Sequence, residues 1–278
     1  MTITLRLKRA PTVPLEAEVL SPDMLCDLSA EQIRALTVYH GKRQLPLGEF
    51  FDVEGERSSE LTLHGDLQKV RWIGRAMTKG SITVHGAVGM HLGAHMKGVS
   101  IEVHGDASDW IGAEMKGGLI RVHGNAGGQV GAAYRGSLAG MKNGTIIIDG
   151  SAGLEVGMRM RRGTIVLGGP AKDFTGLQMK GGTILLCRGA EIRTGAWMVR
   201  GTILSLVPLR MLPTFRAGLS YHPVVLNLLS RYLQQFGVSL PFRAEDGVWQ
   251  RYSGDIAIPG KGEILVWNPA VPVGAASA

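Results

Sequence analysis

From residue 61 onward, apolar and polar residues alternate in short runs that recur along the chain. The clearest copies are SITVHGAVGMHLGAHMKG (81–98) and SIEVHGDASDWIGAEMKG (100–117). In the first copy, apolar Ile82 and Val84 alternate with polar Thr83 and His85, which is the two-residue period of a β-strand. No segment between consecutive glycines has the period and length of a helix. The pattern therefore predicts one short strand in each copy.

A second glycine in each copy marks the period of the repeat. It recurs at intervals of 19 residues, with one interval of 26, at Gly74, Gly93, Gly112, Gly131, Gly157, Gly176 and Gly195. A unit of about 20 residues cannot bury its apolar face alone and must stack on its neighbours. Glycine suits corners that need positive φ or a close backbone approach. We therefore predict an all-β-dominated fold, a single-stranded parallel β-helix or solenoid of about seven coils.

The limits of the repeat divide the chain into three segments. Residues 1–56 predict an N-terminal α+β cap whose helix begins after Ser29, and residues 57–207 form the β-helix repeat domain. Residues 208–278 predict a C-terminal cap, with an amphipathic helix in YHPVVLNLLSRYLQQFG closed by Gly237 and a hairpin in SGDIAIPGKGEILVW. Caps are expected because the ends of a solenoid expose an unpaired strand edge.

Composition argues against several functional classes. The two cysteines, Cys26 and Cys187, lie far apart, which leaves a disulfide framework, an iron–sulfur cluster and a cysteine zinc site unsupported. The chain lacks a long apolar run and a signal-peptide core, so we expect a cytoplasmic protein that spans no membrane. The motifs of serine hydrolases, P-loop enzymes and zinc proteases are absent, so we predict no catalytic residue. Aromatic residues make up 6% of the chain, too few for an obvious track that stacks sugars or single-stranded nucleic acid.

Positive charge is concentrated on the repeat. Residues 57–207 carry 18 basic and 10 acidic side chains, whereas residues 1–56 carry 6 and 9. The residue after the repeat methionine is basic in five successive copies, at Lys97, Lys116, Lys142, Arg161 and Lys180. With coils about 4.8 Å apart, each neighbouring pair would repel by about 1 kcal/mol even in water. An extended anion lying along this cation column would compensate the repulsion. The alternative is a solvated turn in which the basic side chains splay apart.

Two further columns follow from the same stacking. The residue before the first glycine reads His64, His85, His104, His123 and Asp149 in successive copies. A metal ladder on the outside of the strands is conceivable there, but stacked neutral imidazoles are the commoner outcome and no second shell is visible, so we predict no metal. The other column is an interior stack of methionines without chemistry, at Met77, Met96, Met115, Met141, Met160, Met179 and Met198.

The 26-residue interval is seven residues longer than the others, and the insertion lies in the stretch GAAYRGSLAGMKNG (131–144). We expect it to protrude from the solenoid, with Tyr134 as an anchor, Arg135 as a cation, and Gly136 and Gly140 as sources of flexibility. Such a loop suits docking of a neighbouring subunit or binding of a coenzyme chain. An insertion that is tolerated without a function is the alternative.

The succession MTKG, MKG, MKG, AYRGSLAGMKNG, MRRG and MKGG resembles the GXGXG solenoid shared by the C subunit of formylmethanofuran dehydrogenase and the C-terminal domain of glutamate synthase. The AYRG insertion, the lead-in GKRQLPLGEFFDVEG and the late SGDIAIPGKGEI resemble the dehydrogenase branch, and the resemblance covers essentially the whole chain. The alanine-rich tail, moderate charge and absence of extra cysteines favour its bacterial members. Those belong to the formyltransferase/hydrolase complex of methylotrophs.

The resemblance implies a non-catalytic structural subunit in one-carbon metabolism and formaldehyde oxidation. The bacterial complex moves a formyl group from tetrahydromethanopterin to a furan coenzyme and hydrolyses it to formate. The implied partners are an amidohydrolase-type A subunit, a B subunit and a formyltransferase D subunit of the same complex. The implied ligand is a methanofuran-type (methylofuran) coenzyme whose polyglutamate tail would lie along the cation column. We therefore predict that this chain contacts the coenzyme through Lys97, Lys116, Lys142, Arg161, Lys180, Tyr134 and Arg135. We predict no metal in this chain.

Other interpretations stay open at the level of sequence. The chain resembles the C subunit of archaeal molybdenum or tungsten dehydrogenases and the support domain of glutamate synthase as well. An autonomous enzyme acting on an acidic polymer would need a catalytic constellation that the sequence lacks. A nucleic-acid binder is allowed by the basic repeat but not supported by an aromatic platform.

Overall fold

A computed structural model describes residues 2–241 and 245–270 and shows a solenoid built around one long sheet. This sheet has thirteen strands, and its central strands follow one another in chain order and run parallel. The strands of the repeat are β6 (Glu60–His64), β7 (Val70–Arg71), β8 (Ser81–His85), β9 (Lys97–Val103), β10 (Gly117–Val122), β11 (Thr145–Ile148), β12 (Thr164–Leu167), β13 (Lys180–Leu186) and β14 (Arg200–Ser205). The predicted parallel β-solenoid is confirmed.

The strands stack in register, so that identical sequence positions lie side by side. Isoleucine recurs at one inward position of the strands. Each of these isoleucines pairs with the one in the next coil, in the order Ile82, Ile101, Ile120, Ile146, Ile165, Ile184, Ile203 and Ile264. All of these isoleucines are buried. A second side of each coil pairs through single bridges at small residues such as Ala107 and Ala126. The seven repeat methionines are fully buried at a corner of the coils, as predicted.

The repeat glycines mark the corner where the chain turns toward the interior isoleucines. Gly112 has φ of +59°, and a Cβ on it would lie 2.5 Å from Cδ1 of Ile146 and 3.2 Å from Cδ1 of Ile120. A side chain there would suffer both an unfavourable backbone conformation and a steric clash. The 19-residue spacing of glycine is therefore a packing requirement of each coil.

Flanking segments at both ends of the solenoid add strands to the long sheet. The N-terminal elements are β1 (Ile3–Leu7), β2 (Leu15–Glu16), α1 (Pro22–Leu25), α2 (Ala30–Ala35), β3 (Thr37–His40), β4 (Arg43–Pro46), a short 3₁₀ turn (Leu47–Glu49) and β5 (Phe51–Glu54). Strand β1 pairs parallel to β6, and β5 pairs antiparallel to β1 at the sheet's edge. Strands β2, β3 and β4 form a second, four-stranded sheet with β7. Helix α2 begins after Ser29 as predicted, and the Ser29 side chain accepts from the amide of Gln32 in a capping box.

The C-terminal segment contains the predicted helix, which lies within the predicted stretch, and the predicted hairpin, which has wider bounds. Its elements are β15 (Arg216–Tyr221), α3 (Val225–Gln234), β16 (Gly247–Gly254) and β17 (Gly262–Pro269). Strand β17 pairs parallel to β14 and continues the solenoid, and β16 and β15 follow as antiparallel strands. Gly237, with φ of +73°, follows α3 as the sequence predicted. Residues 271–278 of the predicted cap lie outside the described residues.

Helix α3 covers the outer face of the later coils. Leu226 and Leu233 of the helix belong to one buried cluster with Val166, Leu185 and Leu204, which point outward from β12, β13 and β14. The same outward position is polar in earlier coils, for example Thr83, which does not belong to the buried cluster under α3. No helix among the described residues has the length and apolarity to cross a membrane.

Replacing Gly112 with alanine should lower the free energy of unfolding by about 2 kcal/mol, because the methyl group overpacks the interior at a residue of positive φ. Gly98→Ala is the matched control, since a Cβ at that position meets no atom within 4 Å, and its effect should stay within about 0.5 kcal/mol. Chemical denaturation of both variants measures the difference. Equal stabilities of the two variants would contradict the packing role of the repeat glycine.

Candidate ligand-binding face

The predicted cation column is a continuous ladder in the structure. The backbone N–H of each member donates to the carbonyl of the methionine in the preceding coil at 2.7–2.9 Å. The members are Lys97, Lys116, Lys142, Arg161 and Lys180. Each basic residue directly follows a buried methionine, which fixes the position of its backbone. The basic side chains therefore start from equivalent points along one edge of the solenoid. The column ends at Val199, which occupies the equivalent position of the next coil.

Four of the five cations are exposed and lack a protein counter-ion. Lys97, Lys116, Lys142 and Arg161 are exposed, and no carboxylate among residues 2–241 and 245–270 lies within ion-pair distance of them. Lys180 differs, since its Nζ donates to the carbonyl of Leu138 at 2.9 Å. Mutual repulsion in the column is therefore left uncompensated within this part of the chain, which favours binding of an anion.

The insertion is fastened at its start by Tyr134. The amide of this residue donates to Oε1 of Glu114 at 3.2 Å, and its hydroxyl lies 2.9 Å from Nδ1 of His91. The ring stacks on Trp110 with a centroid separation of 4.9 Å and an interplanar angle of 24°. Tyr134 is thus the predicted anchor, and it anchors the loop to two earlier coils.

The rest of the insertion lies along the solenoid and does not project freely, contrary to our expectation. The carbonyl of Ser137 accepts from Nη1 of Arg159 at 2.6 Å, and the carbonyl of Leu138 accepts from Lys180. Only the tip is strongly exposed, with Leu138 at 71%. Two later coils therefore hold the loop against the same edge that carries the cations.

The two glycines of the insertion have different roles, which corrects the prediction that both supply flexibility. A Cβ on Gly136, with φ of +86°, would meet nothing within 4 Å. Gly140 is buried, and a Cβ on it would lie 2.6 Å from the carbonyl oxygen of Met158 and 2.8 Å from that of Gly131. Gly140 is therefore required for close backbone packing where the chain rejoins the regular coil.

An aromatic cluster forms beside the insertion, although the low aromatic content predicted no stacking platform. Trp72 and His91 stack at 4.0 Å between centroids with an angle of 12°, and Trp110 and Tyr134 continue the cluster. Trp72, His91 and Trp110 each lie two residues before a repeat glycine and share φ values of 65–68°. Because this backbone conformation recurs in coil after coil, it presents one side chain per coil on the same face.

Burial keeps the centre of this cluster uncharged. Desolvation lowers the pKa of His91 to about 4, and the charge of Arg71 acts in the same direction. Desolvation also raises the pKa of Tyr134, so the contact between Nδ1 of His91 and the tyrosine hydroxyl joins two neutral groups at neutral pH. Positive charge on this face therefore comes from the basic side chains around the cluster.

A cavity of about 290 Å³ opens between the cluster and the insertion. Its lining includes Trp110, Tyr134, Arg135, Glu155 and Arg159. A larger cavity of about 730 Å³ lies between the N-terminal cap and the first coils and reaches His95. The predicted residues Tyr134 and Arg135 thus share one small cavity, and Lys180 is joined to them through the backbone of the insertion.

The histidine column is a stack of four imidazoles on the outside of the strands. The successive pairs from His64 to His123 have centroid separations of 4.8, 5.0 and 4.8 Å. At the end of the stack, Nε2 of His123 lies 2.8 Å from Oε1 of Glu102, and Nδ1 lies 2.8 Å from Oδ2 of Asp149. The predicted stacking is confirmed, and Asp149 follows His123 as the predicted column has it, but the contact of His123 with Glu102 was not expected.

Comparison with known proteins supports a single family. The family model described as GXGXG motif matches residues 54–207. The C subunit of the molybdenum-containing formylmethanofuran dehydrogenase 1 of Methanothermobacter marburgensis is 44% identical over 84 residues, 29% of this chain and 21% of that protein. The C subunit of the tungsten-containing formylmethanofuran dehydrogenase 2 of Methanothermobacter thermautotrophicus is 38% identical over 97 residues, 33% of this chain and 36% of that protein. The chain therefore spans about a fifth to a third of the length of these curated relatives.

A solved structure matches over a much larger share. It is a chain in the X-ray crystal structure of the formyltransferase/hydrolase complex from Methylorubrum extorquens in complex with methylofuran. The two chains are 33% identical with a TM-score of 0.87, and the match covers 96% of this chain and 100% of that one. The resemblance stated from the sequence motifs is confirmed by these matches.

His91→Gln should flatten the pH dependence of stability. Between the ordinary histidine pKa of 6.5 and the value of about 4 in the folded protein, the unfolded chain binds a proton at His91 that the folded chain does not. The free energy of unfolding should therefore rise with pH across this window and fall as the pH drops through it. Denaturation at several pH values should give a smaller slope for the variant than for the parent. An equal slope would show that folding does not exclude the proton from His91.

Proposed function

The chain belongs to the GXGXG motif family, and on that premise we propose that it is a non-catalytic structural subunit of a formyltransferase/hydrolase complex. The observation that carries the proposal is the match over nearly the whole chain to a chain of such a complex, at 33% identity. The proposed complex moves a formyl group from tetrahydromethanopterin to a methylofuran-type coenzyme and hydrolyses it to formate. The proposed location is the cytoplasm.

The chemistry in this proposal belongs to partner subunits. These partners are an amidohydrolase-type A subunit, a B subunit and a formyltransferase D subunit. The aromatic cluster of this chain packs neutral groups together, and the hydroxyl of Tyr134 forms a hydrogen bond with Nδ1 of His91. This arrangement suits a rigid support better than proton transfer, which needs a group that titrates near the working pH.

The cation column is the proposed contact for the polyglutamate tail of the coenzyme. Lys97, Lys116, Lys142 and Arg161 are exposed along one edge, and the coil spacing of about 4.8 Å is suited to an extended chain of carboxylates. Arg135 lines the cavity beside the aromatic cluster, where it adds a cation at the insertion. Lys180 supports this site through the backbone of Leu138, so its proposed role is to hold the insertion in place.

An exposed apolar patch supports assembly with partner subunits. It lies at the start of α3, where Val224 is exposed by 79%, Val225 by 63% and Leu228 by 68%, and these residues are neighbours at helical spacing. Leu219 of β15 is exposed by 82% as well. Contiguous apolar surface of this kind marks protein–protein contact sites. The opposite side of α3 packs on the solenoid, so the helix is placed between the support and a proposed partner.

A second candidate is the C subunit of a molybdenum- or tungsten-containing formylmethanofuran dehydrogenase. Two curated relatives that favour it are 44% identical over 84 residues and 38% identical over 97 residues. Both candidates assign the same supporting role to this chain. They differ in the catalytic partner, so the identity of the co-purifying subunits distinguishes them.

Reversing two charges of the cation column should loosen retained coenzyme. In Lys116→Glu combined with Lys142→Glu, two attractions of about 1 kcal/mol become repulsions, so the amount of retained ligand should fall tenfold or more. Lys42→Glu combined with Lys172→Glu is the matched control, because it changes the net charge equally at exposed positions outside the column. Native mass spectrometry of the purified complexes measures the retained ligand. Full retention by the column variant would remove the column from the proposal.

A charge in the apolar patch should weaken subunit association without unfolding the chain. Leu228→Asp places a carboxylate in the proposed contact, where burying an unpaired charge is costly. The neighbouring Asn227→Asp introduces the same charge at an exposed polar position of α3. Partner subunits should dissociate from the Leu228 variant at concentrations at which the Asn227 variant stays assembled. Equal association of the two variants would contradict the proposed contact.

A further inference from the structure

We propose that Glu102, His104 and His123 form a binding site for a divalent transition-metal ion, with zinc as the best match to the donor set. The three side chains each offer one ligand atom, and these atoms lie within 4.8 Å of one another. Two imidazoles and one carboxylate are a donor set that zinc accepts, with the fourth position open to water or another ligand.

Stacking of the coils creates this arrangement. Glu102 and His104 are two residues apart and therefore share the outer face of one rung. His123 lies on the next rung, where its amide donates to the carbonyl of Val103 at 2.9 Å. The rings of His104 and His123 are consequently parallel within 7° at 4.8 Å between centroids.

The two distances from Glu102 to the histidine nitrogens lie on either side of the value for a tetrahedral site. Oε1 of Glu102 lies 2.8 Å from Nε2 of His123 and 4.0 Å from Nε2 of His104. Zinc bonds of about 2.0–2.2 Å place neighbouring ligand atoms about 3.3 Å apart in a tetrahedron. Because the rings of His104 and His123 are parallel, their nitrogen lone pairs do not converge as they stand. Coordination therefore requires the ring of His104 and the carboxylate of Glu102 to rotate, and these side chains are 42% and 47% exposed.

Asp149, the last member of the predicted column, supplies the outer partner of His123. Its Oδ2 lies 2.8 Å from Nδ1 of His123, and Arg121 holds the carboxylate with contacts of 3.2–3.3 Å. Arg121 also donates to the carbonyl of Phe236 at 2.8 Å. Metal-bound histidines usually donate their other ring N–H to such a carboxylate, which fixes the tautomer and the ring orientation.

The two carboxylates around His123 also point to a cation. Carboxylates that face both nitrogens of His123 favour positive charge at this position, which either a proton on the second nitrogen or a metal ion at Nε2 supplies. A metal ion between Nε2 and Glu102 satisfies the second carboxylate, while Nδ1–H donates to Asp149. His64 and His85 stack in the same column, but no carboxylate in the described part of the chain lies within ion-pair distance of either ring. The site is therefore confined to the end of the stack next to Asp149.

The test is zinc binding by the untagged full-length chain after removal of metal with a chelator. Calorimetric titration with zinc chloride should give one ion per chain. His123→Gln and Glu102→Gln should each weaken the affinity at least tenfold. His85→Gln is the matched control, since it removes an imidazole from the same stack but none of the proposed ligands, and it should bind zinc as the parent does. Cobalt(II) in place of zinc should give the visible absorption of a tetrahedral site in the parent and lose it in His123→Gln.

Asp149→Asn separates the outer partner from the ligands. This variant should keep one zinc per chain with an affinity lower by about tenfold or more. Thermal unfolding of each metal-free variant identifies any loss of zinc affinity that is caused by misfolding. For the variants that fold, the cobalt spectrum then shows whether the tetrahedral site is present. Absence of stoichiometric binding by the parent, or equal losses in His85→Gln and His123→Gln, would overturn the proposal. The readout involves neither coenzyme nor partner subunits, so it stands apart from the proposed function.

Discussion

In-register stacking of identical coils is the interaction on which the rest of this structure depends. The isoleucine ladder that begins at Ile82 and ends at Ile264 carries it through the interior. Backbone hydrogen bonds join each coil to the next, as between Lys116 and Met96 at 2.7 Å. Because every coil repeats the same path, a residue type that recurs in the sequence becomes a physical column. The cation, methionine, histidine and aromatic columns are all consequences of this one constraint.

The features predicted from the sequence are those that depend on one coil and its immediate repeat. Strand alternation and the 19-residue glycine spacing gave the fold, since both report how a single coil packs on the next. The buried methionines and the exposed cations followed from their positions beside the glycine. The helix after Ser29 was predicted because an N-cap residue is a local signal, and the structure adds the capping box with Gln32.

The features that were missed depend on where one segment lies relative to distant coils. The path of the insertion is set by Arg159 and Lys180, which come from later coils, so the sequence predicted a projecting loop. The aromatic cluster needs Tyr134 from the insertion next to Trp110 from an earlier coil. Comparing the residue two positions before each glycine would have found Trp72, His91 and Trp110. Likewise, the change from polar to apolar residues at the outward strand position, as at Val166, indicates where α3 covers the sheet.

The solenoid presents different surfaces along its length, and each suits a different kind of contact. One edge carries exposed cations beside a packed aromatic cluster, and the outer face of the strands carries a group of imidazoles and carboxylates. The helix near the C-terminal end exposes apolar side chains while its other face is buried against the sheet. A rigid scaffold that holds such surfaces in fixed positions fits a supporting subunit. The proposed supporting role is thus consistent with the same stacking that defines the fold.

Native mass spectrometry of the protein purified gently from its own cells tests the central claim most directly. The proposed role predicts a heteromeric complex that includes an amidohydrolase-type subunit, together with retained ligand in a series whose masses differ by glutamate residues. A lone monomer without ligand at concentrations at which the complex should persist would contradict it. Such a result would mean that the solenoid acts independently of the proposed partners.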